Sequence, residues 1–258
     1  MSLAVHAWGD EDAPRLVCLH GVTSHGRHFR RLAERLAGRF RVLAPDLVGH
    51  GDSTWEPPWD VDTHLTAVVH AVGNEPAAWL GHSFGGRLAF ELAALEPELV
   101  ERLVLLDPAI LLPAHVGLWA AENGRADRSY ASFDEAIDRR VVESQLGPGA
   151  KRSVLVEELQ THLAQSDDGR WRYRYCQSAV VAAYGEMTRQ PPPFDAVAAP
   201  TLLVLGRDSY LPYDHLIDAH RAAAGNRLEE VVVAGGHSVL WDAFDETAAA
   251  IEGFLAAR

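Results

Sequence analysis

Six short apolar runs divide the chain, and the stretches between most of them repeat at helical spacing. The runs are RLVCLH (15–20), RVLAPD (41–46), AAWLGHS (77–83), LVLLDP (103–108), TLLVLGRD (201–208) and EEVVVAGG (229–236). Each is short and apolar without alternation, the pattern of a strand buried on both faces. Between them, 29–40 carries apolar residues at helical spacing and ends near Gly38. Segment 61–72 places Leu65, Val68, Val69 and Val72 along one helical face. Segment 85–97 reads as a helix stopped by Pro97, and 247–257 as a closing helix. Continuous strands separated by amphipathic helices imply a mostly parallel sheet covered on both faces, the α/β doubly wound class.

The alternation fails between Pro108 and Pro200. This stretch holds the helical patterns SFDEAIDRRVVESQL and RSVLVEELQTHLAQ, a charged turn at SDDGR and the run Pro191–Pro193, but no strand of the core type. A structureless loop that long inside a domain is improbable. The expected organisation is a core formed by 1–108 and 200–258, with a helical insertion at 109–199 over one edge of the sheet. The proline run reads as a rigid connector.

Composition excludes several function classes. A net charge of −13 opposes nucleic acid and anionic membrane surfaces as partners. Cys18 and Cys176 lie far apart, make neither a metal spacing nor a disulfide framework, and point to a reducing compartment. The start, MSLAVHAWGDED, carries no basic leader or apolar core, so no signal peptide is expected. The most apolar stretch, 103–121, is broken by Asp107, Pro108 and Pro113 and is excluded as a membrane span. A cytoplasmic protein is the expectation.

The third run ends in a serine surrounded by glycines, Gly81-His82-Ser83-Phe84-Gly85-Gly86. Glycine in an element interior costs about 0.5–1 kcal/mol relative to alanine, so three so close together demand a reason. G-x-S-x-G between a strand and a helix is the nucleophile elbow, where small residues let strand and helix approach around a sharply turned serine. Free backbone N–H groups at the new helix would sit where an oxyanion develops. A serine hydroxyl needs a base, and that histidine needs a third group to fix its tautomer.

These residues resemble the serine-nucleophile branch of the α/β-hydrolase fold family, and the resemblance spans nearly the whole chain. His20-Gly21 after the first core strand is similar to the family's oxyanion-loop motif, which implies the Val22 and Phe84 N–H groups as donors. D-L-V-G-H-G-D-S (46–53) looks like the turn after the next strand. Asp208 ends the strand at the usual place of the acid, and His237, in GGHS, follows the last strand at the usual place of the base. The resemblance therefore implies a Ser83–His237–Asp208 triad and a cap inserted after the sixth core strand, the run 103–108. Asp107 also ends a core strand and is the rival acid. His20 and His82 read as structural. Arg87 reads as half of a surface ion pair with Glu91 at i,i+4. His6, His64, His70, His115, His162, His215 and His220 form no metal signature and read as surface residues.

Ile110, Leu111, Trp119, Leu211 and Val239 are the expected substrate wall, with the cap start as its centre. A mostly apolar pocket suits a small or medium ester or lactone. The implied enzyme is a carboxylic-ester hydrolase working through an acyl-enzyme, with no cofactor or metal. Three alternatives stand beside it. G-H-S-F-G-G-R resembles the pyruvate-expelling lyase of menaquinone biosynthesis, although His82 replaces that family's usual tyrosine. A carbon–carbon bond hydrolase and a ligand receptor on the same scaffold are the others.

Overall fold

The computed structural model describes residues 1–257. The first part of the chain forms β1 (Val5–Trp8), β2 (Arg15–Leu19), α1 (Arg30–Leu36), β3 (Arg41–Pro45), α2 (Val61–Val72), β4 (Ala77–His82), α3 (Phe84–Leu95) and β5 (Val100–Leu106). The insertion carries α4 (Ala114–Gly124), β6 (Ser129–Tyr130), α5 (Phe133–Glu143), α6 (Arg152–His162), β7 (Leu163–Gln165), β8 (Trp171–Tyr173) and α7 (Gln177–Glu186). The core resumes with β9 (Thr201–Gly206), α8 (Asp214–Ala224), β10 (Leu228–Val233), α9 (Val239–Asp242) and α10 (Phe244–Ala256).

Seven strands build one sheet in the order β1-β3-β2-β4-β5-β9-β10. All neighbours are parallel except β1, which runs antiparallel to β3 at the edge. Successive residues of β2 serve opposite layers, as the two-residue period of a strand requires. Val17 and Leu19 pack with Trp79, Phe84 and Phe90 beneath α2 and α3. Leu16 and Cys18 pack with Phe29, Leu32 and Ile251 beneath α1 and α10. The chain leaves β2 for β3 on one side and then crosses to β4 on the other, and ligand crevices of open α/β sheets lie at such reversals, outside the strands' C-terminal ends.

Two expectations need correction. The insertion follows the fifth strand of this sheet, not a sixth, because only four strands precede β5. It is also not purely helical: β6, β8 and β7 form a small antiparallel sheet. Strands of two or three residues are too short to show periodicity, so sequence could not reveal them. This sheet closes a satellite core of Tyr130, Ala136, Ile137, Leu159, Leu163 and Tyr173. Among the described residues no helix is long and apolar enough to cross a membrane.

Candidate active site

Ser83 sits between β4 and α3 with φ 55° and ψ −118°, a left-handed conformation that costs a non-glycine residue about 1–3 kcal/mol. Its backbone holds it there. Ser83 N–H donates to the Leu106 carbonyl at 3.2 Å, and the Ser83 carbonyl accepts from Gly86 and Ala109 N–H at 2.9 and 3.0 Å. A Cβ on Gly81 would overlap the Gly85 carbonyl, and one on Gly85 the carbonyl of Leu19 in β2. The glycines therefore buy the close approach of helix and strand that lifts the serine out of the sheet.

His237 lies in the loop after β10, fixed from three sides. Gly236 N–H donates to Asp242 Oδ2 at 2.8 Å, His82 Nε2–H donates to the His237 carbonyl at 2.9 Å, and Nδ1–H of His237 donates to Asp107 Oδ2 at 2.6 Å. The last contact settles which nitrogen carries the proton in the neutral ring, since a carboxylate only accepts. It leaves Nε2 as the basic nitrogen.

Asp208, the acid expected from sequence, is not the partner of His237; Asp107 is. Asp208 is exposed, and its side chain makes no hydrogen bond among the described residues. Asp107, 2% exposed, turns inward at φ 42° and accepts from His237 Nδ1, from Gly206 N–H at 3.0 Å and from Ser209 Oγ at 2.6 Å. The positive φ aims its carboxyl across the end of β9 towards the histidine loop.

Phe84 N–H opens α3, and neither it nor Val22 N–H has a hydrogen-bond partner among the described residues. The loop carrying Val22 is tightly held. Leu47 N–H donates to His20 Nε2 at 2.9 Å, so Nδ1 must be the protonated nitrogen, and it donates to the Gly21 carbonyl at 2.8 Å. His50 Nε2–H donates to the Val22 carbonyl at 2.5 Å, and His162 Nε2–H to the Thr23 carbonyl at 3.1 Å. A Cβ on Gly21 would come within 3.1 Å of Ser83 Cβ, so the loop presses directly on the serine.

Ser83 and His237 open into one cavity of about 320 Å³. Trp119 and Leu211 line it. Ile110, Leu111 and Val239 do not: Ile110 and Val239 are fully buried in the two layers of the core, and Leu111 packs against the first. Leu112, Val116, Tyr184, Met187 and Tyr210 form the apolar wall instead. Sequence reasoning also missed Arg140, although a signal existed. It shares the buried face of α5 with Ala136 and Ile137, a charge on an apolar stripe.

Arg87 is not a surface residue. It is 1% exposed, and its guanidinium pairs with Glu91 while Nη1 donates to the Ile110 and Arg189 carbonyls at 2.5 and 3.0 Å. Its donors are spent on joining α3 to both ends of the insertion, and it does not line the cavity. His64, His162 and His220 are likewise core residues at 1% exposure, not surface ones. His64 and His220 lie on the apolar faces of α2 and α8 beside Leu65 and Leu216, where packing outweighs polarity.

Burial pushes several imidazoles far down, His64 to about 3 and His220 to about 4, and pushes His20, His25, His82 and His162 well below the usual range. An unfolded chain takes up protons below about pH 6.5 that the folded chain refuses, so stability falls as pH drops from that value towards the folded-state ones. Each such group contributes up to about 1.4 kcal/mol per pH unit in that window. The urea midpoint should therefore fall steeply between pH 7 and pH 5. A midpoint that stays level across that range would show that the folded chain protonates these rings freely.

The chain matches the family model described as alpha/beta hydrolase fold over residues 14–244. It is 33% identical over 263 residues to Lipase LipV of Mycobacterium tuberculosis, covering 100% of this chain and 99% of that protein. It is 29% identical to the sn-1-specific diacylglycerol lipase ABHD11 of Mus musculus, covering 96% of this chain and 83% of the relative. Among solved structures, E-2-(acetamidomethylene)succinate hydrolase superposes with a TM-score of 0.85 at 22% identity, covering 99% of this chain and 95% of that one.

Proposed function

Since the chain belongs to the α/β-hydrolase fold family and is an ester hydrolase, we propose that it cleaves small to medium carboxylic esters through an acyl-enzyme on Ser83, with His237 as base and Asp107 as the acid that orients it. The observation that carries this reading is the 2.6 Å bond from His237 Nδ1 to Asp107, which leaves Nε2 as the basic nitrogen in the cavity that Ser83 lines. The named relatives, a lipase and a diacylglycerol lipase, act on ester bonds and support it.

His237 Nε2 takes the Ser83 proton as Oγ attacks the ester carbonyl, and the Asp107 carboxylate stabilises the imidazolium that forms. The Val22 and Phe84 N–H groups receive the oxyanion, a contribution of about 2.7–4 kcal/mol for a single donor in comparable sites. His237 then returns the proton to the leaving alcohol, and water repeats the sequence on the acyl-enzyme. The cavity volume lies at the small end of the range for ligand pockets, about 300–1,000 Å³.

The test is a series of p-nitrophenyl esters of graded acyl length, followed by stopped-flow absorbance and intact-protein mass spectrometry. A burst of p-nitrophenolate and a mass increase equal to the acyl group are expected, with rates declining for long chains. Absence of turnover on every ester would overturn the reading and leave the ligand-receptor alternative. Arg87, the cation that the lyase resemblance rests on, is occupied by Glu91 and two carbonyls.

A further inference from the structure

Two arginines of the insertion, Arg128 and Arg140, line the same cavity as Ser83, and neither spends its full hydrogen-bonding capacity on the protein. Arg140 is 6% exposed. Its Nε is fully buried without a partner, and its Nη atoms reach only Thr23, at 3.3 Å to Oγ1 and a marginal 3.5 Å to the carbonyl. Its guanidinium lies over the Tyr173 and Trp241 rings, 5.4 and 5.1 Å from their centroids. Arg128, half-buried beside Tyr184, makes no hydrogen bond among the described residues. Its nearest carboxylate, Glu143, stands 3.6 Å from Nη1.

A guanidinium carries five donors, and leaving buried donors unmade is costly, more so for a charged group. Arg87 shows what a structural arginine does in this chain, with donors given to Glu91, Ile110 and Arg189. Arg128 makes no hydrogen bond among the described residues, and Arg140 gives only two long ones to Thr23.

We propose that the substrate is an ester bearing a free carboxylate on the part that enters the cavity, and that Arg128 and Arg140 bind that carboxylate. This rests on the ester-hydrolase reading and adds the substrate class. A planar carboxylate matches the guanidinium fork and forms two parallel charge-assisted bonds with it. Among the described residues Glu143 is the only carboxylate lining the cavity, and its side chain is 31% exposed, free to turn to solvent when an anion takes its place. Glu158, which lies behind Arg140, does not compete. Its oxygens accept from His28 Nδ1 at 3.1 and 3.2 Å and from Trp241 Nε1 at 2.6 Å.

The experiment compares kcat/KM for mono-p-nitrophenyl glutarate with that for p-nitrophenyl valerate, a neutral ester of equal chain length. The ratio should favour the half-ester by about tenfold or more, and Arg128→Gln should lower it by about tenfold, the scale of a charged hydrogen bond. Arg140→Gln should act alike. Because Arg140 is buried and its loss could cost folding, the half-exposed Arg128 carries the decision. Calorimetric binding of monomethyl glutarate to Ser83→Ala protein, with and without Arg128→Gln, reads the site without turnover. Equal use of both esters, with a ratio that Arg128→Gln leaves unmoved, overturns the proposal and leaves the ester-hydrolase reading standing. Arginine-dependent binding with neither ester cleaved keeps the anion site and removes that reading.

Discussion

Asp107→Asn should lower kcat on an aryl ester by about four orders of magnitude, whereas Asp208→Asn should stay within a few-fold of the parent. The asparagine keeps an oxygen for Gly206 N–H but can turn an NH2 towards His237 Nδ1, which now donates to Asp107 Oδ2. The imidazole would then present the wrong tautomer, its proton on Nε2 and its lone pair on Nδ1. Steady-state kinetics on both variants, with circular dichroism to show that each is folded, decides the matter. The reverse ranking would return the acid to Asp208 and make the Asp107 contact structural.

Ser83→Ala should abolish covalent labelling by a fluorophosphonate and lower kcat by about six orders of magnitude, since removing the nucleophile costs about as much as removing the whole triad. What remains is the contribution of binding and of the two backbone donors. The substitution also removes only a hydroxyl, so the φ of 55° and the contacts with Leu106 and Ala109 persist. A variant that still takes the label would place the reactive group on another residue.

Much of the fold was legible because its physics is local. Continuous apolar runs and helical spacing placed six of the seven core strands within a few residues of their ends, and the glycines around Ser83 had no other use than close packing. β1 escaped because three half-buried residues and one exposed one at an edge carry little pattern. The acid was not legible, for a reason that lies in three dimensions. β5 and β9 are neighbours with Leu106 opposite Val204, so Asp107 and Asp208 finish at one rim of the sheet. Only the backbone turn at Asp107 decides which carboxyl reaches His237. The insertion was visible as a gap in the strand pattern, but which of its arginines face inward depends on how α4 and α5 pack. Sequence could show only that Arg140 sits on an apolar stripe.

The junction between core and insertion is a seam in the chain but not in the hydrogen bonding. Ala109 N–H is held by the Ser83 carbonyl, the Ile110 carbonyl by Arg87, and Leu112 N–H by the Met187 carbonyl at 2.8 Å. The first residues after Asp107 therefore belong to the nucleophile's scaffold. Recombination that exchanges whole insertions between relatives must cross over beyond Leu112 and before Met187, or the imported root will reseat the elbow and the acid together. Evolution of new specificities on this frame is thereby steered towards the inner helices of the insertion, with the nucleophile, the acid and the root of the insertion inherited as one block.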